Sequence, residues 1–250
     1  MALAACERLV GLDDAKVAAD ADASIVDAAR GETGLADGPT SFDCEQVAPR
    51  AVGQAQVPLM IPRLTNDLPL GFPADRAWCR SPRLPIDRFG LAGAPKGYFR
   101  ALWSTDALWL LVAWDDDVWF TENFFSYNND GFDIVIDPNG SRDDYIQPND
   151  AFLGFEIGSR DVKGFEGSPP HSFLTADIKV ETLGTTTTWL LRLPWSEMGA
   201  SAAQLNQQIG LDVGIRDTDG AASTQSAWWH TTNGGEVKRP DLWGQAVLAP

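Results

Sequence analysis

The pattern of apolar and polar positions changes near residue 57. From there on, short runs with apolar side chains at every second position alternate with clusters of Gly, Pro, Asn and Asp. Such alternation, bounded by turn residues, is typical of β-strands. Strands are predicted at 97–103, 107–114, 131–137, 152–157, 177–182, 187–193, 209–216 and 243–248. Because no run has the length and period of a long helix, the pattern predicts an all-β fold, a jelly-roll-like antiparallel sandwich of two packed sheets.

Residues 1–56 lack this alternation and are rich in Ala and Asp, so the chain is predicted to divide into an acidic tether, 1–56, and a sandwich, 57–250. The run from Leu3 to Cys6 resembles the tail of a bacterial lipoprotein signal, although the basic and apolar stretches that precede such a tail are absent. Either Cys6 is lipidated or the match is chance. The expected location is extracytoplasmic, on a secreted protein or a bacterial surface lipoprotein.

The net charge, the apolar runs and the cysteines limit the classes of partner and the cellular compartment that can be expected. With 19 Lys and Arg against 35 Asp and Glu, the net charge is −16, which repels phosphate backbones and argues against nucleic acid. No run of about 18 apolar residues predicts a membrane-spanning helix. Cys44 and Cys79 either form a disulfide, as in an oxidising compartment, or remain two buried thiols.

The sequence carries no recognisable catalytic motif. No G-x-S-x-G, G-x-x-x-x-G-K, H-E-x-x-H or C-x-x-C-H is present, and His171 and His230 have no evident nucleophile partner. A glycoside hydrolase needs two opposed carboxylates, but acidic residues are too common here to single out a pair. Binding without catalysis is therefore the expectation.

Aromatic residues are the most informative feature, since ten Trp far exceed ordinary usage. Trp109 and Trp114 are predicted to be core. Tyr127 and Trp229 are predicted to meet a ligand, because flat rings beside polar groups suit the C–H faces and hydroxyls of sugars. Asn128 and Asn129 follow Tyr127, and the even spacing of Asp133 and Asp137 places them on one side of a strand.

The order of motifs resembles the family 9 carbohydrate-binding modules. The elements that carry the resemblance are 73–78, 99–116, 129–137, 191–195, 212–217 and 239–248, the last with Trp243 where Phe is usual. The resemblance implies a β-sandwich that grips the end of a polysaccharide or oligosaccharide between two aromatic rings.

Carried over by position, the resemblance implies that Tyr127 and Trp229 are the two rings and that Asp133 is the acidic hydrogen-bonding residue. It also implies structural Ca²⁺ in some members, with Asp116 and Asp117 as the expected ligands. One departure is that Gly154 stands where sugar-binding members have an Arg, which removes a set of donors. Either Glu156, two residues on, takes over part of that role, or the site binds something else.

Besides a glycoside hydrolase, two further alternatives stay open. Related sandwich domains hold haem b through Met or His, and this chain offers Met60, His171, Met198 and His230. The second alternative is a degenerate structural sandwich that binds no ligand, which the loss of the Arg at Gly154 favours.

Overall fold

The computed structural model describes residues 58–64, 76–88, 95–116, 118–121, 128–157, 162–164, 177–219 and 225–250. All of them belong to one compact unit, Ser41–Pro250. The predicted tether 1–56, with Cys6 and Cys44, and the predicted site residues Asp117 and Tyr127 lie outside the described residues. The boundary predicted at residue 57 therefore stays a prediction.

The described residues form two packed sheets, which confirms the predicted sandwich. The larger sheet runs in the order β1-β12-β10-β5-β6-β7, and β11 also pairs with β10. Its strands are β1 (Leu59–Ile61), β5 (Gly131–Asp137), β6 (Ala151–Glu156), β7 (Val162–Gly164), β10 (Gln208–Asp217), β11 (Gln225–Trp228) and β12 (Gly244–Leu248). Pairing in this sheet is antiparallel except between β1 and β12, which run parallel.

The smaller sheet is entirely antiparallel, in the order β2-β3-β4-β9-β8. Its strands are β2 (Leu84–Ile86), β3 (Gly97–Trp103), β4 (Ala107–Asp115), β8 (Asp177–Leu183) and β9 (Thr186–Pro194). A short 3₁₀ turn, Trp195–Met198, follows β9. No described helix is long and apolar enough to cross a membrane.

Each of the eight predicted strands is present, with ends within a residue or two of those expected. The strands that the pattern missed are β1, β2, β7 and β11, which have only three or four residues each. Runs this short contain too few alternating positions to stand out from loops, and they form because a longer neighbour supplies the backbone partners.

The inner faces of the two sheets form the core. Alternate residues of the long strands meet there, among them Phe132, Leu191 and Val213, together with the Trp rings of 103, 114, 189 and 195. The outer face of the smaller sheet is covered as well, since Trp78 and Leu64 pack over Trp109 and Leu111. The predictions that Trp109 and Trp114 are core residues are confirmed, because both are buried.

Cys79 is disulfide-bonded. The other two cysteines of the chain, Cys6 and Cys44, lie outside the described residues. Of the two possibilities open for Cys79, the structure therefore supports the disulfide rather than a free thiol.

Candidate functional site

The outer face of β5 differs from its inner face. Phe132, Ile134 and Ile136 point into the core between the sheets. Val135 packs in a separate apolar cluster on the opposite face, with Phe152, Trp228 and Trp243 among its members. Because side chains alternate along a strand, Asp133 and Asp137 share this outer face with Val135. The prediction that the two carboxylates lie on one side of one strand is confirmed.

Strand register places Asp133 in a row with little side-chain bulk. Its partner on β6 is Gly154, and its partner on β10 is Gly214. Gly214 in turn pairs with Trp228 on β11. A Cβ at Gly214 would lie 2.5 Å from the Trp228 ring, so the ring covers this glycine. The row from Trp228 through Gly214 and Asp133 to Gly154, called here the Asp133 row, sets a carboxylate between two glycines with an aromatic ring at one end.

Arg216 occupies the neighbouring position on β10 and faces Gly131 of β5. Its Nε lies 3.2 Å from Asp133 Oδ2. The guanidinium also donates to the carbonyls of Asn129 and Phe155, each at 3.1 Å. Two backbone carbonyls and the ion pair with Asp133 thus hold the Arg216 guanidinium in place. Only 4% of Arg216 and 5% of Asp133 is exposed, so the pair is shielded from solvent screening.

One oxygen of Asp133 is left over by this arrangement. Among the described residues, no group donates a hydrogen bond to the buried Oδ1. Burial raises the pKa of Asp133, while the charge of Arg216 and its hydrogen bond pull that pKa back down. A buried acceptor without a donor is unfavourable, so this position favours a ligand or water that brings an O–H or N–H group.

The structure places two further predicted residues beside this pair. Asn129 is buried and its Nδ2 donates to Glu156 Oε1. Glu156 pairs in register with Gly131, so it lies on the same face, on the strand next to Asp133. Asn128 is half-buried and directly precedes Asn129. The structure therefore brings Asn129, Asp133, Glu156 and Arg216 together, and Arg216 is the member that sequence reasoning missed.

Trp229 lies on the other face of the same sheet. Its backbone N–H donates to Val213 O at 2.9 Å, and Val213 is an inner-face residue. The Trp229 ring meets Phe99 edge-on at 5.3 Å and packs where a Cβ on Gly244 would stand. Trp229 is half-buried against the core, whereas its neighbour Trp228 belongs to the Asp133 row. The structure does not bring Trp229 onto the face that carries Asp133.

An acidic cluster lies next to Asn129, where β5 begins. Carboxylate oxygens of Asp116, Asp130 and Asp217 all lie within 4.8 Å of one another. Burial raises the pKa of Asp130 to about 6, and the nearby charge of Asp116 adds to the rise. The predicted cation residue Asp116 thus has two acidic neighbours that the sequence did not indicate, while Asp117 lies outside the described residues.

The potential haem ligands lie in different surroundings. Met198 is buried in the core, Met60 on β1 is exposed, and His171 lies outside the described residues. The Nδ1 atom of His230 lies 3.0 Å from Leu242 O, so this ring nitrogen is engaged by the backbone.

Comparison with known proteins gives a consistent result. No curated protein matches the chain. A solved structure of a carbohydrate binding module family 9 from Caldicellulosiruptor kristjanssonii in complex with cellotriose superposes with a TM-score of 0.67 and 15% identity, covering 77% of this chain and 94% of that one. The glucose complex of a family 9 module from the same organism gives 0.66 and 17%, covering 76% and 95%.

These likenesses establish the fold. The family itself is shown by a family model described as "Carbohydrate family 9 binding domain-like", which matches residues 72–250. The match covers every described strand except β1, including the strands that carry Asp133, Arg216 and Trp228. The chain therefore belongs to the carbohydrate family 9 binding domain-like family.

Proposed function

We propose that the domain binds carbohydrate without catalysis, and that the sugar contacts the outer face of the larger sheet at the Asp133 row. The observation that carries this proposal is the buried Asp133 carboxylate, which is fixed by Arg216 and keeps one oxygen without a donor. Family membership supports the ligand class. The sugar-bound complexes of two family 9 structures with the same fold also support it.

In this proposal, a sugar hydroxyl donates a hydrogen bond to Asp133 Oδ1. The carboxylate is already oriented by Arg216, so little rotamer entropy is lost when a hydroxyl donates to it. Discrimination follows from the same feature, because a ligand without a hydroxyl at this position leaves the buried oxygen unsatisfied.

In this proposal, Arg216 compensates for the side chain that is missing at Gly154. The family resemblance places an Arg on β6 at that position, and in this chain the side chain is absent. A guanidinium nevertheless stands beside Asp133, supplied by β10 on the other side of β5. We propose that Arg216 replaces the missing donor set from the opposite neighbouring strand.

The aromatic part of the site is proposed from position. Tyr127 precedes Asn128 and Asn129 directly, so it is the ring we propose for stacking on the sugar. Trp228, over Gly214, is the ring that shares the outer face with Asp133. Trp229, the second ring implied by the resemblance, packs on Phe99 and Gly244, which supports a role in the core instead.

We further propose that Asp116, Asp130 and Asp217 hold a structural Ca²⁺. Oxygen ligands of this charge suit a hard cation. The three residues come from different parts of the chain, namely the end of β4, the start of β5 and the end of β10. A cation among them would join these segments next to the sugar site and offset the repulsion between the carboxylates.

The proposed location is extracytoplasmic, on a secreted or surface-attached protein. The disulfide of Cys79 supports an oxidising compartment. A lipid anchor at Cys6 remains part of this proposal, and it would be tested by mass spectrometry of the mature protein isolated from membranes of its host.

Calorimetric titration tests the binding proposal. The wild type is titrated with glucose, cellobiose, cellotriose and a panel of soluble polysaccharides, beside Asp133→Asn and Tyr127→Ala. We expect binding by the wild type and a loss of roughly tenfold or more in Asp133→Asn, because the amide replaces an acceptor with a donor beside Arg216. Tyr127→Ala is expected to weaken binding without changing the thermal midpoint.

Asp144→Asn is the matched control, since this exposed carboxylate lies in the loop between β5 and β6, at the opposite end of β5. It removes the same charge and is expected to bind as the wild type does. The proposal would be overturned if the wild type retained no sugar of the panel, or if Asp133→Asn and Tyr127→Ala, both folded, bound as tightly as Asp144→Asn.

A further inference from the structure

Trp119 differs from the other tryptophans of the chain. Eight of the ten are buried, and Trp229 is half-buried against Phe99. Trp119 alone is exposed, at 37% of its surface. Neither a hydrogen bond nor a ring contact within the described residues explains its position. A partly exposed Trp offers solvent a large, flat apolar face, which is the type of surface that stacks on a sugar ring.

The backbone on either side of Trp119 is fixed by the acidic cluster. Val118 N–H donates to Asp116 Oδ1 at 3.0 Å. Phe120 N–H donates to Asp130 Oδ2, and Asp130 N–H donates back to Phe120 O at 2.9 Å. Hydrogen bonds thus secure the residue before Trp119 and the residue after it. The ring is therefore held on a short, braced segment rather than on a free loop.

This segment lies at the edge of the Asp133 site. The backbone of Phe120 pairs with that of Asp130. The residue before Asp130 is Asn129, whose side chain donates to Glu156 and whose carbonyl accepts a hydrogen bond from Arg216. Paired backbone residues stand about 5 Å apart, so the backbone of Trp119, next to Phe120, lies close to the Asn129 end of the site. Asp133 is the third residue of β5 and lies four positions after Asn129.

We propose that Trp119 is an additional stacking platform that contacts the sugar unit next to the one held at Asp133. This inference rests on the proposed function and deepens it, because it names an oligosaccharide, rather than a monosaccharide, as the preferred ligand. The acidic cluster then acts as a positioning device, since two of its carboxylates set the backbone that presents the ring.

The test compares ligands of increasing length. Wild type, Trp119→Ala, Trp119→Phe and Val118→Ala are titrated with glucose, cellobiose and cellotetraose by calorimetry. We expect Trp119→Ala to lose roughly three- to tenfold in affinity for cellotetraose while its affinity for glucose is unchanged. Trp119→Phe keeps a flat ring and is expected to retain most of the affinity. Val118→Ala, at the adjacent exposed apolar residue, is expected to have no effect.

Each other outcome overturns the inference in a recognisable way. If Trp119→Ala binds every length as the wild type does, the inference fails while sugar binding itself stands. An equal loss for glucose and cellotetraose would place the ring at the first sugar unit instead. If the wild type binds none of these sugars, the inference falls together with the proposed function. Sedimentation of the same proteins measures their oligomeric state. If the wild type is a dimer and Trp119→Ala is a monomer, the ring is a self-association contact and the inference fails.

Discussion

Arg216 Nε lies 3.2 Å from Asp133 Oδ2, and both side chains are almost fully buried on the outer face of the larger sheet. The two residues are 83 positions apart and sit on adjacent strands. A buried ion pair contributes little net stability, but removing one member leaves an uncompensated charge. The pair therefore couples the stability of the sheet to the geometry of the proposed site.

Arg216→Ala is expected to lower the free energy of unfolding by about 3–5 kcal/mol, since it strands the Asp133 carboxylate. Urea denaturation measures the change. The double variant Arg216→Ala, Asp133→Asn is expected to recover part of the loss, because the buried charge is then gone. A loss below about 1 kcal/mol in the single variant would mean that the pair is well hydrated in solution.

Trp229→Ala is expected to act through stability. The ring packs on Phe99 and over Gly244, so its removal leaves a cavity at the edge of the core that costs about 2–4 kcal/mol. Thermal unfolding followed by circular dichroism checks this cost. Tyr127→Ala serves as the comparison, with a wild-type midpoint expected. The reverse result, an unchanged midpoint for Trp229→Ala together with lost sugar binding, would restore Trp229 to the sugar site.

Calcium is expected to raise the thermal midpoint of protein stripped with a chelator. At a free concentration 100 times the dissociation constant, binding to one site adds about 2.7 kcal/mol to the free energy of unfolding. Asp217→Asn should remove most of the increase, whereas Asp144→Asn should keep it. Equal midpoints with and without calcium in the wild type would argue that the three carboxylates form no cation site.

Asp150 predicts a particular dependence of stability on pH. Its carboxylate is buried, and this burial, with the nearby charges of Asp137 and Asp143, raises its pKa from 3.8 to about 6. The ionised form is therefore disfavoured in the folded state, so the contribution of this group to stability is greatest below pH 3.8 and is lost as the pH rises through 6.

Asp150→Asn is expected to be more stable than the wild type at pH 7.5 by about 1–3 kcal/mol. The amide keeps an acceptor for the Gln147 N–H, which donates to Asp150 Oδ2 at 2.7 Å. The difference between the two proteins should shrink towards zero as the pH falls to 4. Urea titrations at several pH values measure it, and a difference independent of pH would show that the Asp150 carboxyl is not the titrating group.

The fold follows closely from local pattern. Apolar and polar side chains alternate along β5 and β10. Strand β4 is apolar on both faces because Trp78 and Leu64 pack over its outer side. The ordered motifs from 73 onward then specify the family. Both signals are carried by residues near one another in sequence, which is why they can be read without coordinates.

The site is less accessible to such reasoning because it depends on register. Trp228 and Trp229 are adjacent, so they point to opposite faces, and only the pairing of β10 with β11 decides which one joins Asp133. Arg216 is likewise a partner brought in by a distant strand. For the acidic cluster, the sequence indicated Asp116 but could not indicate Asp217, which the fold brings beside it.

The parallel pairing of β1 with β12 has a mechanical consequence. Leu59–Ile61 lies alongside Ala246–Leu248 in the same direction, and Ala249 N–H also donates to Ile61 O at 2.8 Å. Tension applied upstream of β1 and downstream of β12 would pull the two strands past each other along their length. All their hydrogen bonds would then be strained together instead of opening one by one, which is a shear geometry that resists extension.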